Sequence, residues 1–561
     1  MTCKGQDKQT DVTRRTFLKK TAKTAAALTV AGSLPFFNTV TASASSDRDF
    51  DVLIKGGTLY DGTLKAPRVV DIAIKGDRIA AIGDLAKAQA AKIVDARGLA
   101  ITPGFIDVHT HCDMAFQIMN PKLLTKASPM LKGNYNNIYQ GVTTVVTGNC
   151  GMGISKTDQW FDMVKTLNFG TNVAHLAPHG VIRADLFGAN QPVELTQAQL
   201  DMLKKRVAEE MEKGAVGLST GLEYAPGLLS TTSELIELAG VTARSGRIFT
   251  IHMRDESGTI GPDGMPAIVH ALEEAIQIGK KAGIPIEISH LKISAPTNKT
   301  PASRILSIIE KARREGVDIN GDQYPYNAGS TYITFLIPKK FQGNDYGVKP
   351  EFKTPEGRRA IKEAIEKTFT YLPPEKVLIA FAWGYKKYEG KTVKEIAEME
   401  GLSPSEAYVE LVCMQACPLG VFFAQDMTVV EEIMKQENVL TASDGGTYKI
   451  GMLKPHPRSY STFPQKLRTV ALDNKWMSVQ AAIRTMTSLP AEKFRIKDRG
   501  KIEKGYFADV AVIDLANFRA LATYIDPHQY AVGVKYLLVN GITAIADGKA
   551  TANGGGKSLV S

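Results

Sequence analysis

Asp107-Val108-His109-Thr110-His111 closes an apolar run that begins at Leu99 and passes through Pro103-Gly104-Phe105-Ile106. Alternate side chains of a strand share a face, so His109 and His111 point the same way, together with Asp107 and Asp113. Two imidazoles at i and i+2, leaving a strand into a loop, can both reach one metal ion. A metal-dependent hydrolase built on a barrel of parallel strands presents this entry pattern. The other reading is two unrelated surface histidines. Against it stands the scarcity of the residue, with nine His in 561 positions.

The rest of the central chain agrees with a barrel. Apolar segments at 105–109, 143–147, 172–176, 216–219, 248–252, 285–289, 318–323 and 439–443 read as eight strands. Amphipathic stretches such as 197–213 and 265–281 lie between them. Strands alternating with helical patterns predict βα units and a parallel sheet, here an α/β fold with a TIM-like (β/α)8 barrel over 105–498. Residues 331–375 fit no such unit and are expected to be an insertion near the barrel mouth. Short strands bounded by Gly and Asp turns occur at both ends, around 51–57, 69–74, 78–83 and 92–95, and again at 500–514 and 534–541. Together the segments 48–104 and 499–561 are expected to form one small β-sandwich domain, with the barrel inserted between its halves.

The formal net charge is +10, but half of it lies in the first 44 residues, where seven Lys and Arg face only Asp7 and Asp11. A mild excess over the remaining chain, without a basic stripe interleaved with aromatics, gives no reason to expect nucleic acid. The N-terminal segment reads as a leader. Thr13-Arg14-Arg15-Thr16-Phe17-Leu18-Lys19-Lys20 resembles a twin-arginine export signal, an apolar stretch runs from 25 to 37, and Ala42-Ser43-Ala44 is an A-x-A cleavage site. The apolar stretch is shorter than the roughly 20 residues a membrane span needs. The expectation is a signal peptide over 1–44, passage through the twin-arginine translocation machinery, and a mature chain that is periplasmic or secreted and not held at a membrane. Of five Cys, Cys3 leaves with the leader. The other four, Cys112, Cys150, Cys413 and Cys417, are too few for a disulfide framework in a chain this long.

Several strand ends carry residues suited to metal binding or acid–base work. Cys150 follows the second strand, His252 the fifth, His290 the sixth and Asp444 the eighth. In barrels of this kind the chemistry gathers at the carboxyl ends of the strands. A thiolate with imidazoles suits zinc. Lys292 lies two residues after His290 and Arg254 two after His252, so strand parity makes both candidates to meet a substrate anion.

These residues resemble the amidohydrolase superfamily, and within it the N-acyl-D-amino-acid deacylases. The resemblance spans about residues 50–550. It rests on Gly104-Phe-Ile-Asp-Val-His-Thr-His111, Gly148-Asn-Cys-Gly151, Gly221-Leu-Glu-Tyr-Ala-Pro-Gly227, His252-Met-Arg-Asp255, Ser289-His290, Tyr324-Pro-Tyr326, Ser443-Asp-Gly445, Pro457-Arg458 and Thr462-Phe-Pro464. Many superfamily members bridge two metals with a carboxylated Lys on strand four, whereas Val216-Gly-Leu-Ser-Thr220 has none; the deacylases use a strand-two Cys, and Cys150 stands there. The resemblance implies a tight zinc site of Cys150, His252 and His290. It implies a possible weaker second site of His109 and His111 sharing Cys150, with Asp444 as general base and then acid. It further implies Tyr324, Ser330 and Arg458 as binders of the substrate carboxylate.

The implied activity is hydrolysis of a small-molecule N-acyl-D-amino acid to a carboxylate and a D-amino acid. Two alternatives stay open: another amidohydrolase activity, on a cyclic amide or imide or a dipeptide, and a non-catalytic exported binding protein. The mark of the latter would be a missing ligand or base. Cys112 is expected to point away from the metal and Asp113 towards it. The role of Glu223 is left open, and His175 and His179 are read as structural.

Overall fold

Eight parallel strands form one continuous ladder in the computed structural model, which describes residues 49–560 apart from 118, 120–123, 125, 189–190, 295–299 and 344–345. The strands are Phe105–Asp107, Val142–Thr147, Asn172–Pro178, Gly217–Gly221, Ile248–His252, Ile286–Ile288, Ile319–Gln323 and Val439–Thr441, paired in chain order. Each overlaps one of the eight expected segments. First and eighth strands meet just beyond their ends. The amide of His111 donates to Gly445 O at 2.7 Å, and that of Asp444 to His109 O at 2.9 Å. This seam sets the histidine pair and the acid side by side. The expected leader over 1–44 lies outside the described residues. Among the described residues, no helix is long and apolar enough to cross a membrane.

Period-two patterning explains the layers. Phe249 and Ile251, Ile286 and Ile288, and Ile319 turn outwards into a core shared with the surrounding helices. The helix Ala267–Ala282 supplies Ile268, Leu272, Ala275, Ile276 and Gly279 from one face and ends on Gly283 in the left-handed region at φ 62°. The opposite parity, with Ile106, Val108, Val146, Ala174, Leu176, Ile248, Leu440 and Ala442, fills the bore. Thr250 and His252 continue that inward row towards the mouth.

Both chain ends join in one nine-stranded mixed sheet, where Ala100–Pro103 pairs antiparallel with Val510–Ile513. Alternation again divides its faces. Val510, Val512 and Leu538 pack with Val52, Ile54, Ile72 and Ile74. Ala511, Ile513, Leu537 and Val539 pack with Phe105, Val142, Val173 and Phe463 of the barrel side.

The chain between the seventh and eighth barrel strands builds its own small unit. Strands Gly329–Tyr332, Val377–Phe381 and Leu419–Phe422 form an antiparallel sheet with Leu419–Phe422 at its centre. Helices Pro355–Phe369, Val393–Glu400 and Pro404–Val412 cover it around Ile333, Phe341, Ile361, Ile365, Val377 and Tyr408. The insertion therefore extends well past the expected 331–375. Its central strand comes from far along the chain, a pairing that local periodicity does not reveal.

Candidate metal centre and its pocket

The ladder delivers the donors to one end of the barrel. His252 is the last residue of its strand, whereas His109, His111, Cys150, His290 and Asp444 stand two to four residues beyond theirs. Cys150, His290 and Asp444 all have positive φ, at 54°, 36° and 49°. Such backbone is costly for residues other than glycine and clusters at functional sites. Here it turns each side chain back over the mouth.

Cys150 Sγ lies 3.2 Å from His109 Nε2 and 3.5 Å from His290 Nε2. His290 Nε2 is 2.9 Å from His252 Nδ1. Asp444 Oδ1 stands 3.2 Å from His111 Nε2 and 3.6 Å from His109 Nε2. Three convergent groups result: His109 with Cys150 and His290, His109 with His111 and Asp444, and His252 with Glu256 and His290. The thiol thus meets His109, on the strand hydrogen-bonded to its own, and His252 joins through His290. The expectation shares Cys150 between a tight site with His252 and His290 and a weaker one with His109 and His111, and the thiol lies against both His290 and His109.

The donor set fits zinc. It offers one sulfur and four imidazoles with an acid beside them, and its nitrogens face one another in place of separate protein partners. His111 Nδ1 is buried with no hydrogen-bond partner.

Carboxylates stand behind three of the imidazoles. Asp322 Oδ2 lies 3.3 Å from His109 Nδ1, Glu223 Oε2 lies 3.2 Å from His252 Nε2, and Glu256 Oε1 lies 3.0 Å from His290 Nδ1. A carboxylate on the far nitrogen fixes the tautomer and ring angle that a metal ligand needs. Asp322 also accepts the His290 amide at 2.9 Å. Asp322 and Glu256 escaped the sequence reading. The available signals were the inward parity of Asp322 on its strand and the four-residue spacing from His252 to Glu256.

Burial raises the Asp444 pKa, but Arg458, His109, His290 and His111 together hold it well below the usual carboxylate range. That direction favours the ionised carboxylate, the form that can accept a proton. Burial and then Lys292 push His290 down to about 3, against the pull of Glu256, which keeps the ring neutral for ligation. Burial and then the Asp444 charge lift the Cys150 thiol well above its ordinary value, so a thiolate there calls for a cation.

A pocket opens beside these groups. Lys292, Tyr324, Ser330 and Arg458 all line it. Arg458 NH1 lies 2.8 Å from Asp444 Oδ2, its guanidinium stacks 4.7 Å over the Tyr324 ring, and NH2 donates to Ser330 O at 3.4 Å. The Tyr324 hydroxyl accepts from Gln425 at 3.2 Å, and the Ser330 hydroxyl donates to Gly420 O at 2.9 Å. Lys292 pairs with Glu256.

Arg254 does not join this group. Its guanidinium forks onto Glu274 at 2.9 Å and donates to Leu228 O and Ser230 O. The strand ends at His252, and Met253 turns into the outer core, so parity does not carry on to Arg254. Asp113 likewise departs from expectation: its carboxylate accepts the Ile154 amide at 3.0 Å and belongs to none of the three groups. Cys112 is buried in the outer core and belongs to none of the three groups. His175 pairs with Thr147 and Ile154 O, and His179 with Thr220 and Glu234; neither lines the cavity.

Comparison with known proteins adds to this geometry. The amidohydrolase family profile matches residues 389–544. The chain is 31% identical over 526 residues to a D-aminoacylase of Alcaligenes xylosoxydans xylosoxydans, covering 89% of this chain and 95% of that one. A crystal structure of D-aminoacylase superposes with a TM-score of 0.75 at 29% identity, covering 91% of this chain and 99% of that one. A crystal structure of N-acyl-D-glutamate deacylase from Bordetella bronchiseptica, complexed with zinc and a phosphonate mimic of the tetrahedral intermediate, gives 0.73 at 28% identity, covering 91% and 100%.

Proposed function

We propose, from the premise that the chain belongs to the amidohydrolase superfamily and within it to the N-acyl-D-amino-acid deacylase family, that it hydrolyses the amide bond of N-acyl-D-amino acids to a carboxylate and a D-amino acid. One observation carries this reading: Asp444 sits between the histidine cluster, at 3.2 Å from His111, and the Arg458 fork, at 2.8 Å. A base and a carboxylate reader share one cavity.

Zinc is the metal this donor set would hold, on Cys150, His109, His252 and His290 with His111 towards a second position, and when bound it supplies Lewis-acid activation of water and of the amide carbonyl. The chain's own residues do the rest. Asp444 takes the proton that the attacking water gives up and returns it to the amide nitrogen as the carbon–nitrogen bond breaks. Arg458 presents a planar fork to the free α-carboxylate of the substrate, with Tyr324 packed beneath the guanidinium. Asp322 and Glu223 keep the His109 and His252 imidazoles oriented, and Lys292, paired with Glu256, stands at His290 Nδ1. The D configuration comes from the relatives, since nothing in the donor residues encodes chirality.

An assay of zinc-replete protein on N-acetyl-D- and N-acetyl-L-amino acids tests the reading. Turnover of D-substrates with little of L-substrates is expected. No D-turnover alongside good turnover of a cyclic amide would replace it.

The twin-arginine leader adds a proposal about place: the enzyme is exported and acts in the periplasm or outside the cell. Replacing Arg14-Arg15 with Lys-Lys should leave active enzyme in the cytoplasm, and unchanged export would exclude this route.

A further inference from the structure

Among the charged side chains that line the cavity, both cations are matched and the surplus is one carboxylate. Two cations line it, and each faces a carboxylate: Lys292 meets Glu256, and Arg458 meets Asp444 at 2.8 Å. A third carboxylate, Glu223, lines the same cavity and is only 6% exposed. Its Oε2 is taken by His252 at 3.2 Å. Among the described residues, the ammonium paired with its Oε1 is that of Lys339 at 3.9 Å, which donates at 2.6 Å to the main-chain oxygen of Glu223. Lys339 is 40% exposed and lies outside the cavity wall. The cavity lining also carries three aromatic rings, Tyr224, Phe335 and Phe422.

Resting on the deacylase reading, we propose that Glu223 determines side-chain specificity by excluding acidic substrates. The substrates are then N-acyl-D-amino acids with uncharged, largely apolar side chains, and N-acyl-D-glutamate and N-acyl-D-aspartate are rejected. The α-carboxylate of any substrate engages Arg458. With Arg458 engaged by the α-carboxylate, a second carboxylate would enter a partly dehydrated space whose other lining ammonium, Lys292, is paired with Glu256 and whose wall carries Glu223. Like charges brought together there are costly, because little water screens them. An apolar side chain instead gains contact with Phe335 and Phe422.

The experiment is a kcat/KM panel of N-acetyl-D-leucine, N-acetyl-D-methionine, N-acetyl-D-glutamate and N-acetyl-D-aspartate. It is run on zinc-replete parent, Glu223→Gln and Lys339→Ala, with metal content measured for each. The parent should favour leucine over glutamate by about 10²-fold or more, the scale of one juxtaposed like charge. Glu223→Gln should narrow that ratio about tenfold, mainly through KM for glutamate, because the repulsion is lost while the shape stays. The ratio is taken within one protein, so a loss of metal or of overall rate cancels. Lys339→Ala should leave the ratio as it is.

A parent that prefers glutamate would overturn the inference, as would a ratio untouched by Glu223→Gln. Loss of glutamate turnover in Lys339→Ala would overturn it too, by making Lys339 the reader of an acidic side chain. If no D-substrate turns over, the deacylase reading itself falls. Calorimetric binding of N-acetyl-D-leucine against N-acetyl-D-glutamate then decides the charge argument separately, and tighter glutamate binding would refute it.

Discussion

The barrel's strand ends and the unit inserted before its eighth strand share one cavity but contribute to it differently. The strand ends bring His252, His290 and Asp444 to its wall, with His109 and Cys150 against them, and three of the five are set by a left-handed backbone turn. The insertion brings Ser330, Thr331, Phe335 and Phe422 from a small sheet with a core of its own. Groups suited to hold an ion sit at or just past the strand ends of the ladder. Groups that meet a variable side chain sit on the separately packed unit. Chemistry and selectivity should therefore separate by mutation.

The largest effect should come from Cys150→Ala. It removes the only sulfur from the cluster, and both bound zinc and activity should be lost, by at least about 10²-fold in rate. Full zinc and full rate would break the assignment of the strand ends to the metal. Asp444→Asn should retain zinc while kcat falls by about 10²–10⁴-fold, the scale of a lost acid–base group. Asp322→Asn sharpens the picture one layer further out. It faces His109 and the amide of His290, and zinc affinity in a chelator competition should weaken by about 10–100-fold. In the insertion, Phe335→Ala should shift KM among D-substrates by a few-fold, with about 1 kcal/mol of lost contact, and leave zinc affinity alone. Loss of zinc in that variant would join the two regions that the comparison separates.

The smallest effect concerns Lys466, buried on the helix Arg458–Leu467 against the eighth strand. Burial pushes its pKa down to about 7, against the pull of Asp322. Between that value and the ordinary lysine range the unfolded chain binds the extra proton, so this residue makes stability rise with pH from about 7 upwards and weighs fully against the fold below it. Lys466→Met should raise Tm by roughly 2–4 °C at pH 7 and flatten that slope, as followed by calorimetry.

Much of this was readable in the chain. All eight barrel strands overlap segments marked by apolar runs, because a strand buried on both faces must be apolar nearly throughout. The donors were legible because each stands at or just past such a run. Arg254 and Asp113 were misplaced for a single reason: parity holds only while the strand lasts. Met253 already faces the outer core, and the chain after His111 has left the ladder. The insertion was underestimated because its central strand, Leu419–Phe422, pairs with Gly329–Tyr332 across nearly ninety residues.

The sequence by itself determined the barrel and the standing of candidate donors and an acid at or just past its strands, since apolar runs mark those strands locally. Only the tertiary structure decided which groups meet. It set Cys150 against His109 through adjacent strands, and closed the barrel so that Asp444 faces His111. It also placed Asp322, Glu223 and Glu256 behind the imidazoles and matched both cavity cations with carboxylates. Those pairings join residues from different strands and loops, and their distances come from packing, which no local pattern along the chain records.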